Sequence, residues 1–174
     1  MARYLLAGVA GFIAARVAEL LLADGHTVVG VDNLNDAYDV RMKEYRLRQR
    51  PEFSFEKLDI ADKEAVFALA NQGPFDAIIN LAARAGVRSS LEDPWAYVDT
   101  NVTGTLNLLE LARREEIGKF VLASTSSIYG QDAPLPTPEE AVSDMPLQPY
   151  AASKKSAEAL SHAYHYLYDI DVTV

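Results

Sequence analysis

The chain has 174 residues, 49% of them hydrophobic, enough for one globular domain with a real core and not comfortably enough for two. Its 25 acidic residues outweigh 16 basic ones, and the net charge of -9 argues against a nucleic-acid partner, because phosphate binding needs concentrated Lys and Arg. With no cysteine there is neither a disulfide framework nor a thiolate site, which fits a cytoplasmic protein.

In chain order, a short apolar strand begins at Tyr4 and runs into the loop Gly8-Val9-Ala10-Gly11-Phe12-Ile13-Ala14. A helix follows, with Phe12, Ile13, Val17, Leu20 and Leu21 at helical spacing, so that one face can lie on a sheet. Gly25 stops it, and a β-rich run over 26–31 ends on Asp32. This is the pattern of a nucleotide-binding βαβ half. Gly8 and Gly11 let backbone amides approach a pyrophosphate, the helix N-terminus faces that charge, and Asp32 can accept hydrogen bonds from an adenosine ribose, favouring NAD over NADP. Ala7 and Ala14 depart from the commonest form of the loop. A secretory leader is the lesser reading of the same residues, since cleavage would destroy the unit.

Residues 33–39 read as a polar loop and 40–50 as a charged helix ending before Pro51, its basic run a solvated face. A third strand is expected over 53–60, again with an acid, Asp59, near its end. Asp62 caps a helix to about Ala70, broken by Gly73-Pro74. Residues 76–83 are almost continuously apolar, as a parallel strand buried on both faces should be. One long helix is expected over 94–114, a fifth strand over 119–123, a Pro-rich loop over 133–149, a helix from Tyr150 to about 168, and the entry to a sixth strand at 172–174. Strands alternate with helices, so the fold class is α/β, a Rossmann-type parallel sheet flanked by helices in the order 3-2-1-4-5, with a sixth strand barely begun and a single NAD-binding domain over 1–174. His26, His162 and His165 lack the spacing of a metal cluster, so no metal is expected. No apolar run approaches the roughly 18 residues of a membrane span.

Tyr150 and Lys154 share one helix face, and the lysine together with the helix N-terminus favours a phenolate suited to general-base work. The spacing alone carries little weight in a chain with nine tyrosines. Context gives it meaning: the pair opens the helix after the fifth strand, and Thr125 ends that strand, where its hydroxyl could bond the substrate oxygen that Tyr150 deprotonates.

Gly8-x-x-Gly11, Asp32-Asn33, Asn80-Leu81-Ala82-Ala83, Asn101-Val102, Ser124-Thr125-Ser126-Ser127-Ile128-Tyr129-Gly130 and Tyr150-Ala-Ala-Ser-Lys154 together resemble the extended short-chain dehydrogenase/reductase family of NAD-dependent sugar-nucleotide epimerases and dehydratases. Within it, the stretches 32–40, 82–88 and 150–158 are most similar to epimerases of UDP-hexuronic acids. The resemblance implies NAD as cofactor, a UDP-sugar as substrate, and inversion at C4 through a transient 4-keto sugar. By position, Gly8, Gly11, Phe12, Ile13, Asp32, Asn33, Asn35, Asp59, Ile60, Leu81, Ala82, Ala83, Asn101, Tyr150 and Lys154 match the family's cofactor contacts. Thr125, Tyr150 and Lys154 match its catalytic residues, while Arg88, Thr125, Ser126, Ser127 and Tyr150 match positions that face the sugar. Related dehydratases carry Asp-Glu after the threonine, and related decarboxylases carry Glu where Ser127 stands; with neither acid here, epimerisation is favoured.

Family members run to roughly twice this size, so the chain is expected to be a piece of a longer protein, lacking most of the uracil and diphosphate contacts. The resemblance also implies a homodimer through the helices at 94–114 and 150–168. Two alternatives stay open: a non-catalytic NAD-binding module, and a chain left unstable because its fifth strand is an exposed edge. Another UDP-sugar, glucose among them, also remains open as the substrate.

Overall fold

The computed structural model describes residues 1–49 and 53–174. Six parallel strands form one sheet in the order β3-β2-β1-β4-β5-β6: β1 Arg3–Ala7, β2 Thr27–Asp32, β3 Ser54–Lys57, β4 Ala77–Asn80, β5 Lys119–Leu122 and β6 Asp171–Thr173. The three-residue β6 pairs Lys119 with Asp171 through Val121 with Thr173, so β5 is not left as an edge.

Alternation along β1 explains why the sheet needs helices on both faces. Leu5 and Ala7 join a cluster with Val29, Val31, Ile78, Leu108, Leu111, Phe120 and Leu122, whereas Leu6 joins Val9, Ala14, Ala18 and Val28 on the other side. The first face is covered by α3 (Lys63–Ala68), α6 (Gly104–Arg114) and α7 (Pro149–Tyr168), the second by α1 (Phe12–Ala23) and α2 (Val40–Arg48). Leu5 and Leu6 are wholly buried, each contributing about 2 kcal/mol of apolar transfer energy. Strand order reverses between β1 and β4, the switch point at whose carboxyl edge ligands of open α/β sheets collect.

The element boundaries follow local chemistry. Gly25, at φ +80°, ends α1: its amide and that of His26 bond back to the carbonyls of Leu22 and Leu21 (both 3.0 Å). Asp39 and Asp62 cap α2 and α3 through the amides of Arg41 and Ala65 (both 3.0 Å). The expected end of the 40–50 helix at Pro51 lies outside the described residues.

Three expectations are corrected. Of the face expected on α1, Val17 and Leu21 do pack on the sheet beside the buried Ala14, Ala15 and Ala18, while Phe12, Ile13 and Leu20 are 81%, 64% and 49% exposed. Small residues let the helix lie close to the sheet, and Ala14 in its first turn already packs against Leu6 and Val28. The single helix over 94–114 is a composite of α5 (Pro94–Tyr97), a π-helical segment (Val98–Thr103) and α6, preceded by the short α4 (Ser89–Glu92). Thr105 Oγ1 donates to the Asn101 carbonyl (2.7 Å), so a side chain serves an acceptor within the wider turn. Finally, the basic run on α2 is not wholly solvated: Lys43 is only 5% exposed.

Candidate active site

The glycine loop hangs from the end of β2. Gly8 N and Val9 N both donate to the Val31 carbonyl (2.8 and 3.1 Å), Gly11 N donates to the Gly8 carbonyl (2.8 Å), and Ala10 N donates to Asp32 Oδ2 (3.3 Å). The amides of Gly8 through Gly11 are therefore all engaged within the protein. Gly8 is required by packing: at φ +82°, an added Cβ would lie 2.8 Å from both N and Cα of Ala82. The donors left for an anion are in the first turn of α1, where no side chain caps the helix and the amides of Phe12 and Ile13 have no acceptor among the described residues.

Beside the loop opens a cleft lined by Gly8, Gly11, Asp32, Asn33, Asn35, Asp59, Ile60, Leu81, Ala82 and Ala83, ten of the fifteen residues that the resemblance assigns to the cofactor; Phe12 and Ile13 are not part of its lining. Asn33 Nδ2 donates to Asp59 Oδ2 (2.8 Å), tying the ends of β2 and β3 together across the cleft floor. Asp32 accepts from Leu34 N (2.8 Å) and from Lys43 Nζ (3.2 Å), forming a buried ion pair. Lys43, Tyr38 and Thr100 also line the cleft and are not among the sequence-assigned residues. A lysine in the register of a charged helix gives no sign of burial; the one available signal is that Lys43 lies eleven residues past Asp32, across a loop short enough to fold back.

Asn101 lies elsewhere, wholly buried in the π-helical segment. Its Oδ1 accepts from Arg84 N (2.8 Å), and its Nδ2 donates to the Arg84 carbonyl (3.0 Å) and to Ser153 Oγ (2.9 Å). The side chain thus clasps the segment after β4 to α7. This is the region that carries the remaining polar residues.

Thr125 follows β5 in extended conformation and caps the 3-10 turn Ser126–Tyr129; its Oγ1 accepts from Ser127 N (3.2 Å) and donates to Ser127 Oγ (3.3 Å). That turn packs against α7. Tyr150 is in the first turn of α7, half-buried, its ring edge-on to Tyr97 at 6.0 Å between centroids. Tyr97 is itself fixed, its hydroxyl donating to the Ala85 carbonyl (3.2 Å) and bonded to Ser89 Oγ (2.7 Å). Ser153 Oγ donates to the Tyr150 carbonyl (2.7 Å). Lys154 is 3% exposed, with no hydrogen-bond partner among the described residues; burial pulls its pKa down to about 8, against an opposing field from Glu158. Ser126 and Arg88 are exposed, Arg88 just ahead of α4. Among the described residues no group of His, Asp or Glu could hold a metal ion, and no helix is long and apolar enough to cross a membrane.

The sequence pattern described as GDP-mannose 4,6 dehydratase matches residues 5–174. A UDP-glucuronate 4-epimerase of Thermodesulfobacterium geofontis is 54% identical over 100% of this chain and 54% of its own length. A probable UDP-glucuronate 4-epimerase of Rhizobium meliloti is 44% identical over 98% of the chain and 51% of its own. Among solved structures, a UDP-glucose 4-epimerase of Thermotoga maritima with UDP-glucose superposes with TM-score 0.90 at 30% identity, covering 99% of this chain and 54% of that one. A UDP-glucuronic acid 4-epimerase of Bacillus cereus, in complex with UDP-glucuronic acid and NAD, gives TM-score 0.86 at 31% identity over 98% and 55%. The chain spans about half the length of the curated relatives it matches. The strand order and motif spacing read from the residues therefore agree with a match running almost end to end, and the chain belongs to the GDP-mannose 4,6 dehydratase family of NAD-dependent epimerases and dehydratases.

Proposed function

We propose that this chain is the cofactor-binding half of an NAD-dependent nucleotide-sugar epimerase that inverts C4 of a UDP-hexuronic acid, UDP-glucuronate to UDP-galacturonate or the reverse. The observation that carries the reading is the pairing of one buried, unbonded Lys154 with Tyr150 a helical turn before it, at the same sheet edge as the cleft around Asp32. The site fits a dinucleotide. Two free amides at the start of α1 suit a pyrophosphate, and Asp32 Oδ2 keeps an acceptor site for a ribose hydroxyl.

NAD, when bound, supplies a reversible hydride acceptor for the sugar's C4. The work of the chain is proton handling and orientation. Tyr150 takes the proton of the 4-hydroxyl, Thr125 turns its single hydroxyl proton from Ser127 Oγ to the same oxygen, and Lys154 holds the nicotinamide ribose and favours the tyrosinate. Ser126 and Ser127 offer hydroxyls to the C6 carboxylate and carry no acid that could act at C5, which supports epimerisation over dehydration. The 54% identity to a UDP-glucuronate 4-epimerase supports the hexuronate. UDP-glucose is the second reading, favoured by the TM-score of 0.90.

The same reading implies a homodimer through α5–α6 and α7, whose outer faces expose Trp95 (73%) and Tyr166 (82%); light scattering at several concentrations tests it. The activity test has two parts. Calorimetric titration with NAD should give saturable binding that Asp32→Ala abolishes. A version extended to the relatives' length should convert UDP-glucuronate to its 4-epimer, and Tyr150→Phe should stop turnover while retaining NAD. Release of only a decarboxylated or 4-keto-6-deoxy product would refute the assignment.

A further inference from the structure

Tyr150 must aim its phenol oxygen at a substrate, yet its own place on α7 leaves that aim undetermined. It is in the first turn of the helix, half-buried, and its hydroxyl has no hydrogen-bond partner among the described residues. A tyrosine in a helix has two χ1 rotamers open to it, and they carry the phenol oxygen to different places. Among the described residues one ring contact chooses between them: the ring of Tyr97, 6.0 Å away between centroids at an interplanar angle of 74°. Rings at this spacing and tilt attract one another through their quadrupoles.

Tyr97 is suited to hold another ring because it is itself held. It is 4% exposed at the end of α5, a turn that Asp93 caps through Ala96 N (3.3 Å). Its hydroxyl is fixed twice, donating to the Ala85 carbonyl (3.2 Å) and bonded to Ser89 Oγ (2.7 Å). Gly86 makes room for that pair, since an added Cβ there would lie 2.6 Å from Ser89 Oγ and 3.3 Å from the Tyr97 oxygen. A second route serves the main chain of Tyr150. Asn101, bonded to Arg84 N and O, donates to Ser153 Oγ (2.9 Å), which donates to the Tyr150 carbonyl (2.7 Å). Ring and main chain of Tyr150 are thus tied by separate routes to one stretch, residues 84–89. Arg88, which the resemblance turns toward the sugar, stands on that stretch.

We propose that Tyr97 is a positioning residue for the reaction: it selects the rotamer in which Tyr150 takes the proton of the sugar hydroxyl, and through Ala85 and Ser89 it fixes that rotamer to the segment carrying Arg88. Tyr97 acts through Tyr150 and not on the substrate. The inference rests on the epimerase reading and deepens it.

The test has one readout that needs no turnover. In the chain labelled at tyrosine, three-bond couplings across χ1 of Tyr150 report its rotamers, its signals being those that vanish in Tyr150→Phe. Wild type should show one rotamer, Tyr97→Leu an average over two, and Tyr97→Phe, which keeps the ring but releases Ala85 and Ser89, a value between them; circular dichroism checks that each variant folds. In versions extended to the relatives' length, Tyr97→Leu should lower kcat about a hundredfold and Tyr97→Phe about tenfold, with KM for the UDP-sugar and the dissociation constant for NAD within about twofold of wild type. Averaged couplings in the wild type, one rotamer kept in both variants, or a raised KM at unchanged kcat would overturn the proposal while the epimerase reading stands. An extended wild type without epimerase activity would overturn that reading, and the couplings would still decide whether Tyr97 places Tyr150.

Discussion

Replacing Gly8 by alanine separates two costs that are usually entangled. Gly8 and Gly25 have almost the same backbone, φ +82° and +80°, but an added Cβ at Gly8 would lie 2.8 Å from Ala82 Cα and N and 2.9 Å from the Leu81 carbonyl carbon, whereas at Gly25 it meets nothing within 4 Å. All three contacts at Gly8 are backbone atoms at the end of β4, so no side chain can swing away. Left-handed strain costs about 1–2 kcal/mol at either position. Forcing the loop off β4 adds about 1–3 kcal/mol, as other overpacked sites do. Gly8→Ala should then destabilise by about 3 kcal/mol and Gly25→Ala by about 1 kcal/mol, or melting-temperature losses of roughly 6–12 °C and 2–4 °C for a domain of this size. Parallel thermal melts and urea titrations of the two variants measure the difference. Equal losses would mean that the loop does not rest on β4 as described.

Lys154→Met should stabilise the free chain at pH 7 by about 2–3 kcal/mol, since burial holds the ammonium at about 8 against an ordinary 10.5. The unfolded chain binds the proton more readily between those values, so wild-type stability rises with pH across that window and the variant's advantage fades; a gain equal at pH 7 and pH 10 would contradict this. Glu110 behaves oppositely. Hydrogen bonds from Arg113 and then Tyr164 hold its carboxyl at about 2 from an ordinary 4.5, so the stability it contributes is present above about 4.5 and lost as pH falls toward 2. Solvent screening limits this to about 1 kcal/mol. Glu110→Gln should flatten the acid limb of the stability profile, and an unchanged limb would show that the contacts with Arg113 and Tyr164 are not formed in solution.

The order of the sheet was legible because each strand announces itself within a few residues: the apolar run of β4 and the Asp at the end of β2 need no knowledge of partners. The cleft was legible for the same reason, its lining falling on strand ends. What escaped depends on residues far apart in sequence. Lys43 reads as surface until Asp32 and Asn35 are brought against it. The π-helical segment at Val98–Thr103 has no periodicity that distinguishes it from the helix around it, and Asn101 finds Ser153 across 52 residues. Phe12 and Ile13 follow helical spacing yet stay exposed, since apolar periodicity reports a face and not whether anything covers it.

The four engaged amides of the glycine loop, together with the Arg46 bond to Ala10, fix its shape by contacts internal to the protein. A dinucleotide arriving here has no backbone to order on its pyrophosphate side, so little conformational entropy is lost there on binding. Affinity gained this way costs nothing in selectivity, because a rigid cradle favours every dinucleotide alike. Discrimination among them must come from groups that touch only the parts in which they differ.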